Sequence, residues 1–218
     1  MNNAGGQAAP MPGLRVKDAI AIGQSQSAGR LAIYYNTIQP LHNLFGGIAF
    51  WDRSGQLRSD LAVPAISVNS EGLGGSVGGA AWTTSEYTRK WDVAGSTHAS
   101  LYGAQYIEAI SARDMAITQF NGVPKTFFAW IDTSPLIPNG PACLKLPPFT
   151  TVDVGLVYNK AIDSVRNWYR RGTPAAPSRS FVTTPAGTVV RAADGKVEGG
   201  IRLPQFVAPT AEQEALNG

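Results

Sequence analysis

An α/β fold built on a mostly parallel sheet is predicted by three observations. Val16 to Ile22 reads Val-Lys-Asp-Ala-Ile-Ala-Ile, an apolar run whose last four residues carry no charge, as in a strand covered on both faces. That run passes through Gly23-Gln24-Ser25-Gln26-Ser27 straight into a helical pattern, with Leu31, Tyr34, Tyr35 and Ile38 at helical spacing and Pro40 stopping it. Three more short strands follow at Gly47 to Trp51, Ala62 to Val68 and Arg89 to Ala94, with further helical patterns after them.

The later elements are read in the same way. Ala99 to Ile110 carries Leu101, Ala104, Tyr106 and Ile110 in a helical rhythm. Phe120 to Asn139 is loop-like, with an apolar patch of Phe127, Phe128 and Trp130 that could line a substrate pocket or pack in a core. Val154, Val157, Ala161, Val165 and Trp168 mark the longest helix, which Gly172 and Pro174 end. Residues 174–210 are rich in Pro, Gly and Thr, with Asp194-Gly195 as a hairpin turn between Thr188-Val189-Val190 and Ile201-Arg202, so this tail is expected to wrap around the sheet instead of joining it.

Composition limits what the chain can be. With 218 residues and 44% hydrophobic content it suits one domain, read as a flexible leader over residues 1–14 and the folded part over 15–218. The first 13 residues lack the positive start and apolar stretch of a signal peptide, so no secretion signal is read on this chain, and no apolar run is long enough to span a bilayer. A net charge of +3, with one small basic cluster at Arg166, Arg170 and Arg171, fits a solvated helix end better than a nucleic-acid surface. The single Cys143 cannot form an internal disulfide, and no His/Cys spacing suggests a metal. Neither a metal nor another cofactor is expected.

The chemistry centres on Ser25. A serine flanked by small residues between a strand and a helix is the pattern of a nucleophile elbow, a sharp turn that holds the hydroxyl clear of the backbone. Gly, Ser and Gln are also ordinary turn residues, so the flanking strand and helix carry the argument. A helix starting there directs unpaired N–H groups and a positive dipole end at the reacting centre.

A serine nucleophile needs a base, and the chain has two histidines. His98 follows a strand that breaks at Gly95, placing it beyond a strand end, where sites of parallel sheets lie. His42, in Gln39-Pro40-Leu41-His42-Asn43, reads as a capping or turn residue and is kept only as a weak pocket candidate beside Trp130. For the carboxylate that orients the imidazole, Glu71 is best placed, just past Ala62 to Ser70 and before Gly72, Gly74 and Gly75. Asp60 precedes that strand and Asp92 lies within the next one.

The order Ser, Glu, His is that of the α/β-hydrolases. The segment Gly23 to Gly29 with Tyr35-Asn36, Pro-Ala-Ile-Ser-Val-Asn-Ser-Glu at 64–71, Trp-Asp-Val-Ala-Gly-Ser-Thr-His at 91–98, and Gly199-Gly200-Ile201-Arg202-Leu203-Pro204 together resemble the alpha/beta hydrolase domain family over most of residues 15–210. The resemblance implies Ser25 as nucleophile, Glu71 as acid, His98 as base and the backbone N–H of Gln26 as one oxyanion donor, acting on carboxylic ester bonds of a small molecule. It also implies a partial hydrolase sheet running from the nucleophile strand onward. Only Met1 to Arg15 precede that strand, so four upstream strands and a second oxyanion donor are expected to be absent, roughly a hundred residues at about 30 per strand-helix-strand unit.

That expectation carries two others. The strand at 16–22 would present a raw edge, to be covered by a second copy in a homodimer or by a missing N-terminal half; if nothing completes the pocket, the chain is a non-catalytic fragment or scaffold. A further reading is that Gly23-Gln24-Ser25-Gln26 is similar to the Gly-Gln-Ser-Asn block of the SGNH carbohydrate esterases, whose nucleophile lies near the N-terminus. That group requires an Asp three residues before a late histidine, and here Gly95 holds that position.

Overall fold

The computed structural model describes residues 13, 16–52, 55–74, 84–98, 100–113, 119–120, 123–124 and 150–208. Its centre is a four-stranded sheet of β1 (Ile20–Gln24), β2 (Gly47–Trp51), β3 (Ala65–Ser70) and β4 (Thr88–Val93), in the order β1-β2-β3-β4. All three pairings are parallel, with Gln24 opposite Trp51, Trp51 opposite Val68, and Ser70 opposite Val93. Every strand therefore ends on the same side of the molecule.

Alternation along the strands divides the core in two. Ile48, Phe50 and Ala65 face α1 (Gln26–Thr37), whose Ala28, Ala32 and Tyr35 are buried against them together with Leu57 and Val63. Ala49, Trp51, Ile66, Val68, Trp91 and Val93 face the opposite way, onto Val154, Val157, Ala161, Val165 and Trp168 of the long helix α5 (Val154–Arg171). A period of two along the strands meets a period of 3.6 on each helix, giving helices on both faces of one sheet. Both strong helical patterns read from the sequence are present, and α5 has its ends fixed: Asp153 accepts from Gly155 N at 3.0 Å, and Gly172 closes the helix with φ 67°.

Smaller elements complete the chain. They are α2 (Gln39–His42), α3 (Glu71–Gly74), α4 (Leu101–Arg113), the antiparallel pair β5 (Gln119–Phe120) and β6 (Val123–Pro124), and α6 (Pro204–Val207). The third strand begins at Ala65, not Ala62, because Pro64 precedes the first paired residue and has no N–H for the ladder. The Phe127, Phe128 and Trp130 patch and Cys143 lie outside the described residues.

The tail does more than wrap. Lys90 and Asp92 of β4 exchange backbone hydrogen bonds with Arg179, and Asp92 and Ala94 do so with Ile201, all within 2.7–2.9 Å. Isolated bridges between Phe181 and Gly199, Thr183 and Val189, and Arg191 and Val197 tie the tail to itself. The Asp194-Gly195 turn joins Arg191 to Val197 rather than the more distant runs expected, since the flanking residues pair closest to the turn. The outer edge of β4 is thereby covered. The outer edge of β1 has no strand beside it among the described residues, and Ile22 on it is 58% exposed.

Candidate active site

Ser25 stands where β1 ends and α1 begins, with φ 56° and ψ −122°. A non-glycine residue rarely occupies that region, and such conformations cost about 1–3 kcal/mol each unless the surroundings enforce them. Here the surroundings do. Ser25 N donates to Trp51 O at 2.9 Å, continuing the β1–β2 ladder, while Ser25 O accepts from Gly29 N at 3.0 Å as the first helical bond. Gly23 leaves room on the inner side of this turn, where a Cβ would crowd the Ala28 amide nitrogen at 3.1 Å. Ser25 and Gln26 are both exposed, and the hydroxyl makes no hydrogen bond among the described residues.

One strand over, Asp52 follows β2 in the left-handed region, with φ 49°. Ser25, Asn43 and Asp52 are the non-glycine residues with positive φ among the described ones, and two of the three terminate adjacent strands at the same end of the sheet. The Asp52 carboxylate is buried and fixed from several sides. Oδ1 accepts from Ser70 N, and Oδ2 accepts from Ser70 Oγ at 2.8 Å. The same Oδ2 lies 2.8 Å from His98 Nδ1.

The imidazole is thus brought to a carboxylate, but the carboxylate is Asp52 and not Glu71. Glu71, 6% exposed, opens α3 and turns toward the next loop. Its Oε2 accepts from Gly95 N at 2.7 Å, its Oε1 lies 2.7 Å from Arg191 Nη2, and its backbone N donates to Ser96 O at 3.0 Å. Both oxygens are engaged away from the histidine. The contact expected between Glu71 and the imidazole is not made: a carboxylate at the end of β3 reaches the β4 loop, but it meets that loop's backbone and Arg191 instead of His98.

A third buried carboxylate, Asp92, sits inside β4. Burial pushes its pKa up, against the opposing effects of Lys90 Nζ at 3.0 Å and hydrogen bonds from Asn69 Nδ2 and Phe181 N. One residue before the end of β4, it joins β3 to the tail through these contacts. Asp60 is exposed and paired with Arg58, which holds its carboxyl down to about 2.

His42 ends α2, ahead of β2, at the end of the sheet opposite Ser25. The 12 residues of α1 run back along the sheet between them, about 18 Å of helix, so His42 is removed from the Ser25 end. Trp130 lies outside the described residues. No group of three or more His, Cys, Asp or Glu side chains that could hold a metal ion occurs among the described residues, and no helix there is long and apolar enough to cross a membrane.

Asp52 is the residue that sequence reasoning missed. Its signal was present: it directly follows a fully buried strand, and aspartate is one of the few residues that adopt a left-handed turn readily.

A parallel sheet with helices on both faces, an exposed serine on a strained strand-to-helix turn, and a histidine on a buried carboxylate at the same strand ends define the hydrolase class of α/β architecture. The family described as alpha/beta hydrolase domain matches residues 2–218, and the chain belongs to it. No curated protein and no solved structure matches this sequence.

Proposed function

We propose that the chain is a serine hydrolase acting on carboxylic esters, with Ser25 as nucleophile, His98 as general base and Asp52 as the group that orients His98. The observation that carries this reading is the 2.8 Å contact of His98 Nδ1 with a fully buried Asp52 carboxylate, one strand from a strained serine. With Nδ1–H committed to Asp52, Nε2 is the lone pair left to accept the Ser25 proton.

In the reaction, Ser25 Oγ bonds to the ester carbonyl carbon as its proton passes to His98 Nε2. The carbonyl oxygen becomes an oxyanion that accepts from the Gln26 N–H at the start of α1, a donor worth about 3 kcal/mol. The C–O bond to the alcohol then breaks, and the alcohol leaves with the proton from His98. Water, deprotonated by the same imidazole, releases the acid from Ser25. Asp52 keeps its charge throughout and stabilises the imidazolium. That the Ser25 hydroxyl makes no hydrogen bond among the described residues fits this scheme, since bonds between nucleophile and base often tighten only with substrate.

A fluorophosphonate probe on the folded full chain tests the reading. The expected result is one adduct, on Ser25, absent from Ser25→Ala; folded protein that takes no label would overturn it.

A second reading rests on the β1 edge, which has no strand beside it among the described residues, and on the exposed Ile22: the site is completed by another polypeptide laid along β1, either a second copy or a separate segment. It predicts association that Ile22→Lys weakens, followed by sedimentation across a concentration series, and labelling that rises with the assembled fraction.

A further inference from the structure

The tail converges on the loop that carries His98. Arg191 is held within the tail hairpin by Nη1 donating to Gly195 O at 2.9 Å, and its Nη2 reaches Glu71 Oε1 at 2.7 Å. Glu71 Oε2 in turn accepts from Gly95 N at 2.7 Å. Gly95 is closed in on the other sides as well. Ala94 N donates to Ile201 O at 2.9 Å, Thr150 Oγ1 donates to Gly95 O at 2.8 Å, and a Cβ on Gly95 would stand 2.3 Å from Phe206 Cδ2. Three residues later the chain presents His98.

We propose that Glu71 and Arg191 form a clamp through which the C-terminal hairpin sets the position of His98, making both positioning residues for the site. The proposal rests on the reading of His98 as base, but its geometry does not require catalysis. Glu71 is nearly fully buried, so its charge needs partners, and those present are the loop amide and a guanidinium from the tail. Releasing Glu71 frees the Gly95 amide from the side chain that holds it. A shift of about 1 Å in a base costs on the order of a hundredfold in rate.

The test compares wild type with Glu71→Gln, Arg191→Met, Arg191→Lys and the Glu71→Gln/Arg191→Met double variant. Two signals are followed, with thermal unfolding as a check on folding: the rate of fluorophosphonate labelling, and the far-downfield proton resonance of the His98 Nδ1–H···Asp52 hydrogen bond. The resonance is assigned by its loss in Asp52→Asn and its persistence in His42→Gln. The clamp predicts that Glu71→Gln and Arg191→Met, folded like wild type, each label on the order of a hundredfold more slowly and broaden the resonance. Arg191→Lys should restore much of both signals, and the double variant should be no slower than the worse single one, because the two residues act in one chain of contacts.

Wild-type labelling rates and an unchanged resonance in both single variants would overturn the clamp, as would effects that multiply in the double variant. If wild type takes no label, the hydrolase reading fails, and the resonance alone decides the clamp. A wild type lacking the resonance would overturn the clamp together with the Asp52 contact.

Discussion

Asp52 and Glu71 end neighbouring strands of the same sheet, both buried, both facing the loop after β4, and they do opposite things. Asp52 is satisfied by Ser70 from behind and offers its outer oxygen to a half-exposed imidazole. Glu71 has one more methylene and sits one strand closer to that loop, so it reaches the backbone first and is then locked by Arg191. Side-chain length and strand order, more than residue type, decide which carboxylate meets a titratable partner. The difference also separates two kinds of rigidity: Asp52 holds a side chain, whereas Glu71 holds the main chain from which that side chain hangs.

Asp52→Asn keeps the shape of the site but supports the wrong imidazole tautomer, and should slow acylation of Ser25 by roughly 10³–10⁴-fold with little change in substrate affinity, measured as kcat against KM on an activated ester. Ser70→Ala removes the Oγ–H donor to the Asp52 carboxylate. It should destabilise the fold by about 1.5–3 kcal/mol in denaturant titration, the value of a hydrogen bond to a charged group, while leaving the imidazole contact in place. Glu71→Ala exposes a different failure, leaving Gly95 N–H without its acceptor, and should cost about 1–3 kcal/mol.

The smallest effect concerns Asp92, the buried carboxylate that belongs to neither pattern. Its pKa is raised in the fold by burial, so the stability it contributes is full below the unfolded value of about 3.9 and is lost as pH rises through the folded value. Unfolding free energies of wild type and Asp92→Asn, measured from acid to neutral pH, should therefore shift in favour of the asparagine as pH rises. A difference independent of pH would show that Lys90 and the hydrogen bonds from Asn69 and Phe181 together offset the burial.

The features legible in the sequence were those with a local cause. The uncharged run before Gly23, the small residues around Ser25 and the apolar stripe of α5 each act over a few residues, and the strand, elbow and helix they imply are all present. His98 was placed beyond a strand end for the same reason, and it is there. What failed was the pairing of carboxylate to imidazole. That pairing depends on how far β2, β3 and β4 extend relative to one another, and no residue near Asp52 or Glu71 encodes the register between strands. Short isolated bridges on β4 have no periodicity to detect, so Arg191 gave no sign that it would reach Glu71.

The most direct test of the account sets Asp52→Asn against Glu71→Gln in one fluorophosphonate labelling experiment on the full chain, with folding checked for each. The account predicts label on Ser25 in wild type, with Asp52→Asn the slower of the two variants by at least about tenfold. Faster labelling of Asp52→Asn than of Glu71→Gln would contradict it, and would return the orienting role to Glu71.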